Sequence, residues 1–293
     1  DGHISHLKIS GKHNHSKALE CLELIHEANS QDIKITFDVY PYTAGSCGLR
    51  TLLPPIVLEN IDINNSHILL SKTTKKRIET LLTLDDWDNL ILSCGYENIF
   101  INSANGDKKY EGKSISQISL ENGIDELDSV LMILAESQAQ ATIIYNSLSE
   151  NDLRTFLKDP LCMIGTDAFA RNYEGPTSTG KPHPRNYGSF PKYIRKYLIE
   201  EKLLSLPEGI RKITSLPART FGLYNRGILR EGYIADITVF NPKTICETGN
   251  YINPNSKPMG IEWVLISGTS VVQQGQFSNL RRGKMLLHKI NNN

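Results

Sequence analysis

The strongest constraint on the fold is a strand–helix–strand run at the start of the sequence. Residues 3–9 (HISHLKI) interleave His and Lys with apolar residues and predict a short strand. Ala18, Cys21, Leu22, Ile25 and Ala28 then recur at helical spacing, with Glu20, Glu23 and Glu27 on the other face. Residues 33–40 (IKITFDVY) are β-branched and aromatic and predict a second strand. Two strands joined by a helix imply a parallel pair. Residues 161–166 (LCMIGT), mostly apolar on both faces and ending at Asp167, suit another buried strand of the same sheet. The class is α/β.

The rhythm breaks over residues 54–115, with two prolines, an Asn-rich stretch from Asn60 to Asn65, a basic KTTKK at 72–76 and a strand-like IFIN at 99–102. This reads as an insertion. Ser114-x-x-Gln117 has capping-box form and Ser149-x-x-Asp152 comes near it, so both predict helix starts. Between them Ile124, Leu127, Val130, Leu131 and Leu134 mark a buried helix face. Pro191 and Pro207 are placed near helix starts, and a helix within 205–223 should stop before Pro217. After Gly227 come short strands at 234–240, 261–266 and 270–274, with a turn at Gly268. The terminal Asn run reads as a frayed tail. Residues 1–226 are therefore assigned to one domain, with an insertion at about 50–145, and 227–293 to a small β-sandwich module.

Composition narrows the function. The 293 residues carry 32 Lys+Arg against 32 Asp+Glu, so there is no basic excess for nucleic acid. No run approaches the ~18 apolar residues that span a bilayer, and no signal peptide opens the chain. Neither a nucleic-acid nor a membrane partner is expected. Five dispersed cysteines without a CxxC pair argue for reduced thiols and a cytoplasmic setting.

Polar residues cluster where each predicted parallel strand ends, the position at which an α/β barrel keeps its chemistry. The first group is His6 with Lys8; a strand-end His can ligate zinc, or simply be a satisfied structural residue. His3 faces the opposite side and suits a wall or surface role, and His13 and His15 suit a solvated loop. The second group runs from Asp38 through Tyr40 and Tyr42 to Ser46, hydroxyls suited to a carbonyl or carboxylate, or aromatics packed under a turn. The third is Asp167, which should be paired, metal-bound or catalytic at the end of an apolar strand. Downstream, His183-Pro184-Arg185 offers a forked cation for a carboxylate, or a loop salt bridge.

Chained in this order, HISHLK, DVYPYTAGS, MIGTDA, HPRNYGSFP, ITSLPARTFGL and RGILREGYIADITVFNP resemble the C-terminal half of the D-aminoacylase (N-acyl-D-amino-acid deacylase) family, within the amidohydrolase superfamily. The resemblance runs from about His3 to Gly283. It implies the last three strands of a (β/α)8 TIM-like barrel, and zinc-dependent hydrolysis of an N-acyl-D-amino acid to a carboxylate and a D-amino acid. His6 would ligate zinc, Lys8 and Arg185 would grip the substrate carboxylate, and Tyr40 and Ser46 would line the amide and carboxylate. Asp167 would act as general base on water and then as acid to the leaving amine.

The sequence also departs from that family. A complete barrel needs ~250 residues and eight strands, of which three are placed here. The family's HxH pair, bridging Cys and fifth-strand His have no counterparts, and His13-Asn-His15 stands in the wrong place to supply them. The sequence also lacks an initiator Met. The expectation is a fragment, inactive alone, with most ligands of its one or two zinc ions in a missing N-terminal half that could be a partner chain. Ala168, where Gly is usual, and Cys47, where Thr is common, leave the pockets for the acyl and side-chain groups open. Two alternatives remain: a cyclic amidohydrolase of dihydropyrimidinase or dihydroorotase kind, and a catalytically silent remnant or assembly partner.

Overall fold

The computed structural model describes residues 2–59, 63–84 and 87–286, with the backbone alone at 63–65. The terminal Asn run and residues 60–62 of the Asn-rich stretch lie outside these. The chain is α/β. Strand β1 (Gly2–Ile4) is followed by helix α1 (Ala18–Ser30) and strand β2 (Ile35–Val39), and β1 and β2 pair in parallel. Ala18, Leu22 and Ile25 form the buried stripe of α1. The Asn29 amide ties the end of α1 to β2, donating to the Ile35 carbonyl and accepting its N–H.

The polypeptide then leaves this sheet. Strand β3 (Ala44–Gly48) opens a region with helices α2 (Pro55–Leu58), α3 (Lys72–Leu81) and α4 (Leu90–Cys94) and strand β4 (Ile99–Ser103). Helices α5 (Ile115–Asn122) and α6 (Glu126–Glu136) and strand β5 (Thr142–Asn146) follow. Strands β3, β5 and β4 make an antiparallel sheet in that order. Ser114 and Gln117 form a full capping box at α5. Ile78, Ile118, Val130, Ile133, Leu134 and Ile143 share one core, each fully buried. Burying such a side chain contributes about 1.5–3 kcal/mol.

Helix α7 (Glu150–Lys158) returns the chain to the first sheet, where β6 (Cys162–Ile164) pairs in parallel with β2, giving the order β1-β2-β6. A second core of Phe37, Val39, Phe156, Leu157, Ile164, Tyr193 and Tyr197 packs between this sheet and its helices. Asp152 of α7 accepts from the N–H groups of Ser16 and Ala18, so it caps α1 from outside.

Helix α8 (Arg185–Lys192) contains Pro191 instead of starting there. Pro191 brings no N–H to the ladder, and over Tyr193–Glu200 the bonds run in π register. Helix α9 (Leu206–Ile213) ends before Pro217, which lies in the short α10 (Ser215–Thr220). Lys212 of α9 is fully buried beneath β6, where its ammonium donates to the carbonyls of Asp159 and, at 3.2 Å, Cys162. Burial pushes its pKa down.

The C-terminal strands β7 (Ile237–Phe240), β8 (Ile261–Ile266), β9 (Thr269–Gln273) and β10 (Gln276–Phe277) form one antiparallel sheet in the order β10-β9-β8-β7. Among the described residues this is a single layer rather than a sandwich. Strands β1 and β6 are shorter than the predicted 3–9 and 161–166. Each chain turns out of the sheet early, at His6 and Asp167, which both adopt φ of 45°.

Candidate active site

The site lies at the C-terminal ends of β1, β2 and β6. Asp38, on β2, fixes the turn that carries His6. Its Oδ1 accepts the His6 N–H at 3.0 Å, and its Oδ2 accepts from His3 Nε2 at 2.8 Å. The second nitrogen of His3 meets Thr36 Oγ1, so His3 is a positioning residue of the wall. Gly165 is needed beside it: a Cβ there would sit 2.5 Å from Asp38 Oδ1.

His6 is exposed, and its Nδ1 lies 2.6 Å from Lys8 Nζ. Lys8 also stands over the Tyr40 ring at 5.7 Å. Burial lowers the Lys8 pKa and Arg185 adds to that, while Asp167 and Asp38 work against it. Tyr40 is buried, and its phenol is pushed up to about 12, chiefly by burial. Arg185 is buried at 7% exposure, with its guanidinium over the Tyr40 ring at 4.7 Å. Its Nη2 donates to Asp167 Oδ2 at 2.9 Å. Neither Nε nor Nη1 of Arg185, nor the Tyr40 hydroxyl, meets a partner in good hydrogen-bond geometry among the described residues, though Arg185 is near enough to the Tyr40 phenol to work against the rise in its pKa.

Five of the sequence candidates are therefore joined by contacts: His6, Lys8, Tyr40, Asp167 and Arg185. Asp167 and Arg185 form the ion pair that was one of the two readings of the His183–Arg185 segment. Ser46 lies on β3 opposite Ile144 and is half-buried. Its neighbour Cys47 contacts Thr51 at 3.0 Å, and burial raises its pKa.

Sequence reasoning missed three contributors. His183 is fully buried behind Arg185, and Tyr145 and Tyr251 both lie within reach of the Arg185 charge, with phenols that burial pushes up. Tyr251 packs its ring on His183 at 5.2 Å from the C-terminal segment. Glu247 of that segment accepts from Tyr42 Oη at 2.6 Å and pairs with Lys192 at 2.8 Å. A lone Tyr or Glu in a loop carries no sequence signal of this kind.

Among the described residues, no group of three His, Cys, Asp or Glu side chains could hold a metal ion. His6 is the one sequence-predicted ligand among them, and a single histidine does not make a zinc site. These residues alone do not fit zinc.

A family profile described as "Amidohydrolase family" matches residues 132–270. The chain is 29% identical over 283 residues to an N-acyl-D-glutamate deacylase of Alcaligenes xylosoxydans xylosoxydans, covering 97% of this chain and 47% of that protein. It is 28% identical to a D-aminoacylase of the same organism, covering 97% and 48%. It also superposes with a TM-score of 0.73, at 26% identity, on an N-acyl-D-glutamate deacylase from Bordetella bronchiseptica complexed with zinc and a phosphonate inhibitor, covering 97% and 49%. Over 97% of its length the chain is similar to the D-aminoacylases, and its residues 132–270 match the amidohydrolase family. It spans about half the length of the curated family relatives it matches, at 47% and 48%. No helix among its described residues is long and apolar enough to cross a membrane.

Proposed function

We propose that this chain supplies the carboxylate-binding and proton-transfer half of an N-acyl-D-amino-acid deacylase, an enzyme that hydrolyses the linear amide to a D-amino acid and a carboxylate. The observation that carries the reading is Arg185. A buried guanidinium with two unpartnered nitrogens costs several times more than an exposed one, so its edge is built for an anion. A substrate carboxylate could take those donors as a charge-assisted pair. Lys8 adds a second cation, and the Tyr40 hydroxyl adds a neutral donor, since its raised pKa keeps its proton. Asp167 stands 2.9 Å from Arg185 and so beside the bound carboxylate, with the amide nitrogen two bonds from the carboxylate carbon. There it can take a proton from water and return it to the leaving nitrogen. Ser46, half-buried on β3, would with Tyr40 line the scissile amide and the carboxylate.

The three parallel strands fit a portion of a (β/α)8 barrel, with residues 50–145 as an insertion and 227–293 as a separate module. Zinc dependence belongs to the same proposal and requires ligands beyond the described residues. The five cysteines are all free thiols, which suits a cytoplasmic setting.

The test is expression of the chain alone and with any polypeptide encoded immediately upstream, followed by assay of N-acetyl-D- and N-acetyl-L-glutamate with bound zinc quantified. D-selective release of glutamate by either preparation, with zinc in the active one, supports the reading. Zinc-loaded protein that hydrolyses a cyclic amide and neither acetyl amino acid would sink it.

A further inference from the structure

We propose that His183 is a positioning residue that aims the Arg185 guanidinium by bridging the Arg185 backbone to the start of β3. The inference deepens the proposed deacylase function and rests on it for its kinetic consequence. His183 is 1% exposed. Its Nδ1 accepts the backbone N–H of Arg185 at 3.0 Å, and its Nε2 meets the carbonyl of Ala44, also at 3.0 Å. An amide N–H can only donate and a carbonyl can only accept, so a single tautomer satisfies both: bare Nδ1 and protonated Nε2. A second proton would face the Arg185 N–H directly. The ring is enclosed by Tyr40, Tyr42 and Tyr251 at 6.1, 5.0 and 5.2 Å, and the charges facing it are Arg185 and Lys192, both cationic. Burial and these cations hold its pKa well below the usual 6.5.

The consequence is geometric. Ala44 lies four residues beyond Tyr40, whose ring carries the guanidinium. One imidazole thus locks the residue that presents the cation to the segment that presents its aromatic bed. With Nε and Nη1 unpartnered, the guanidinium has few side-chain bonds to hold its direction, and its backbone anchor sets it instead. Misplacing such a clamp by about 1 Å can cost ~10²-fold in rate.

The test uses the full chain, with its upstream polypeptide where activity needs one, labelled with nitrogen-15. Imidazole signals of His183 are assigned by their loss in His183→Asn, and the Arg185 Nε–H signal by its loss in Arg185→Lys. The expected result is a bare Nδ1 and protonated Nε2 that persist from neutral pH to about pH 5. His183→Asn keeps an acceptor near the Nδ1 position, so it should leave the Arg185 signal in place and raise KM for N-acetyl-D-glutamate by no more than ~3-fold. His183→Leu removes both bonds and should shift that signal and raise KM by ~10-fold or more, with a smaller change in kcat. A His183 that titrates near its ordinary value, or a Leu variant with the wild-type Arg185 signal and KM, overturns the proposal. Should the Leu variant not fold, the tautomer and the Asn variant decide. A wild-type protein that neither binds nor cleaves N-acetyl-D-glutamate overturns the functional reading instead. The His183 proposal is then judged on the tautomer and the Arg185 signal alone.

Discussion

At the scale of single residues, the site is organised by opposite charges forced together. Asp167 sits at φ 45°, a conformation that costs a non-glycine residue energy and that tends to persist where function requires it. In the active enzyme, Asp167→Asn should cut kcat by ~10²–10⁴, read in a steady-state assay. Arg185→Ala should instead raise KM for N-acetyl-D-glutamate, while an N-acyl amine lacking the carboxylate should lose little; equal losses for both would exclude the clamp. Gly165→Ala should lower stability by about 1–3 kcal/mol in urea unfolding, because Asp38 is pinned by two partners and cannot yield to the new Cβ. Asp167, Tyr40 and Lys8 stood out in the sequence because each ends or follows a predicted strand, and Arg185 because it is a forked cation in the segment downstream of Asp167. His183 was quoted beside Arg185 without a role, since no pattern tells a buried imidazole from a surface one.

At the scale of elements, the caps show where sequence reading stops. Ser114-x-x-Gln117 is a complete local device, and both of its bonds form as written. Ser149-x-x-Asp152 has similar letters, and Ser149 does accept the Asp152 N–H at 3.3 Å. The Asp152 carboxylate, however, is spent on α1, a helix that starts 134 residues earlier in the chain and has no cap of its own. Asp152→Ala should therefore destabilise α1 rather than α7, by about 1–2 kcal/mol. Hydrogen exchange should quicken at the first turn of α1 while α7 stays protected. Strand limits misled for a related reason: the tertiary bond from His6 N–H to Asp38 turns the chain out of β1 where side-chain pattern alone continues. The placement of Pro191 failed because a π-register segment absorbed its missing N–H.

At the scale of the whole molecule, His183 also couples stability to pH. Its folded pKa lies well below the 6.5 of the free side chain. Below pH 6.5 the unfolded chain therefore binds a proton that the folded chain does not, so unfolding is favoured as pH falls. Stability should be full above 6.5 and decline below it with a slope approaching about 1.4 kcal/mol per pH unit. His183→Asn should flatten this limb in thermal or urea melts taken between pH 7 and about pH 5, leaving the carboxylate titrations at lower pH.

The parallel sheet has two margins, and Lys212 makes them unlike. Gly165 N–H bonds to Val39, so alternate residues of β6 face β2, and Cys162 turns its N–H and C=O outward. Outside, the N–H goes to the Asp159 carbonyl and the C=O takes the Lys212 ammonium. The Lys212 ammonium thus occupies the outward carbonyl at the start of β6. The β1 margin carries no such plug among the described residues. A strand that joined the sheet beside β6 would have to displace the Lys212 ammonium from the Cys162 carbonyl, a local rearrangement at the first residue of that strand.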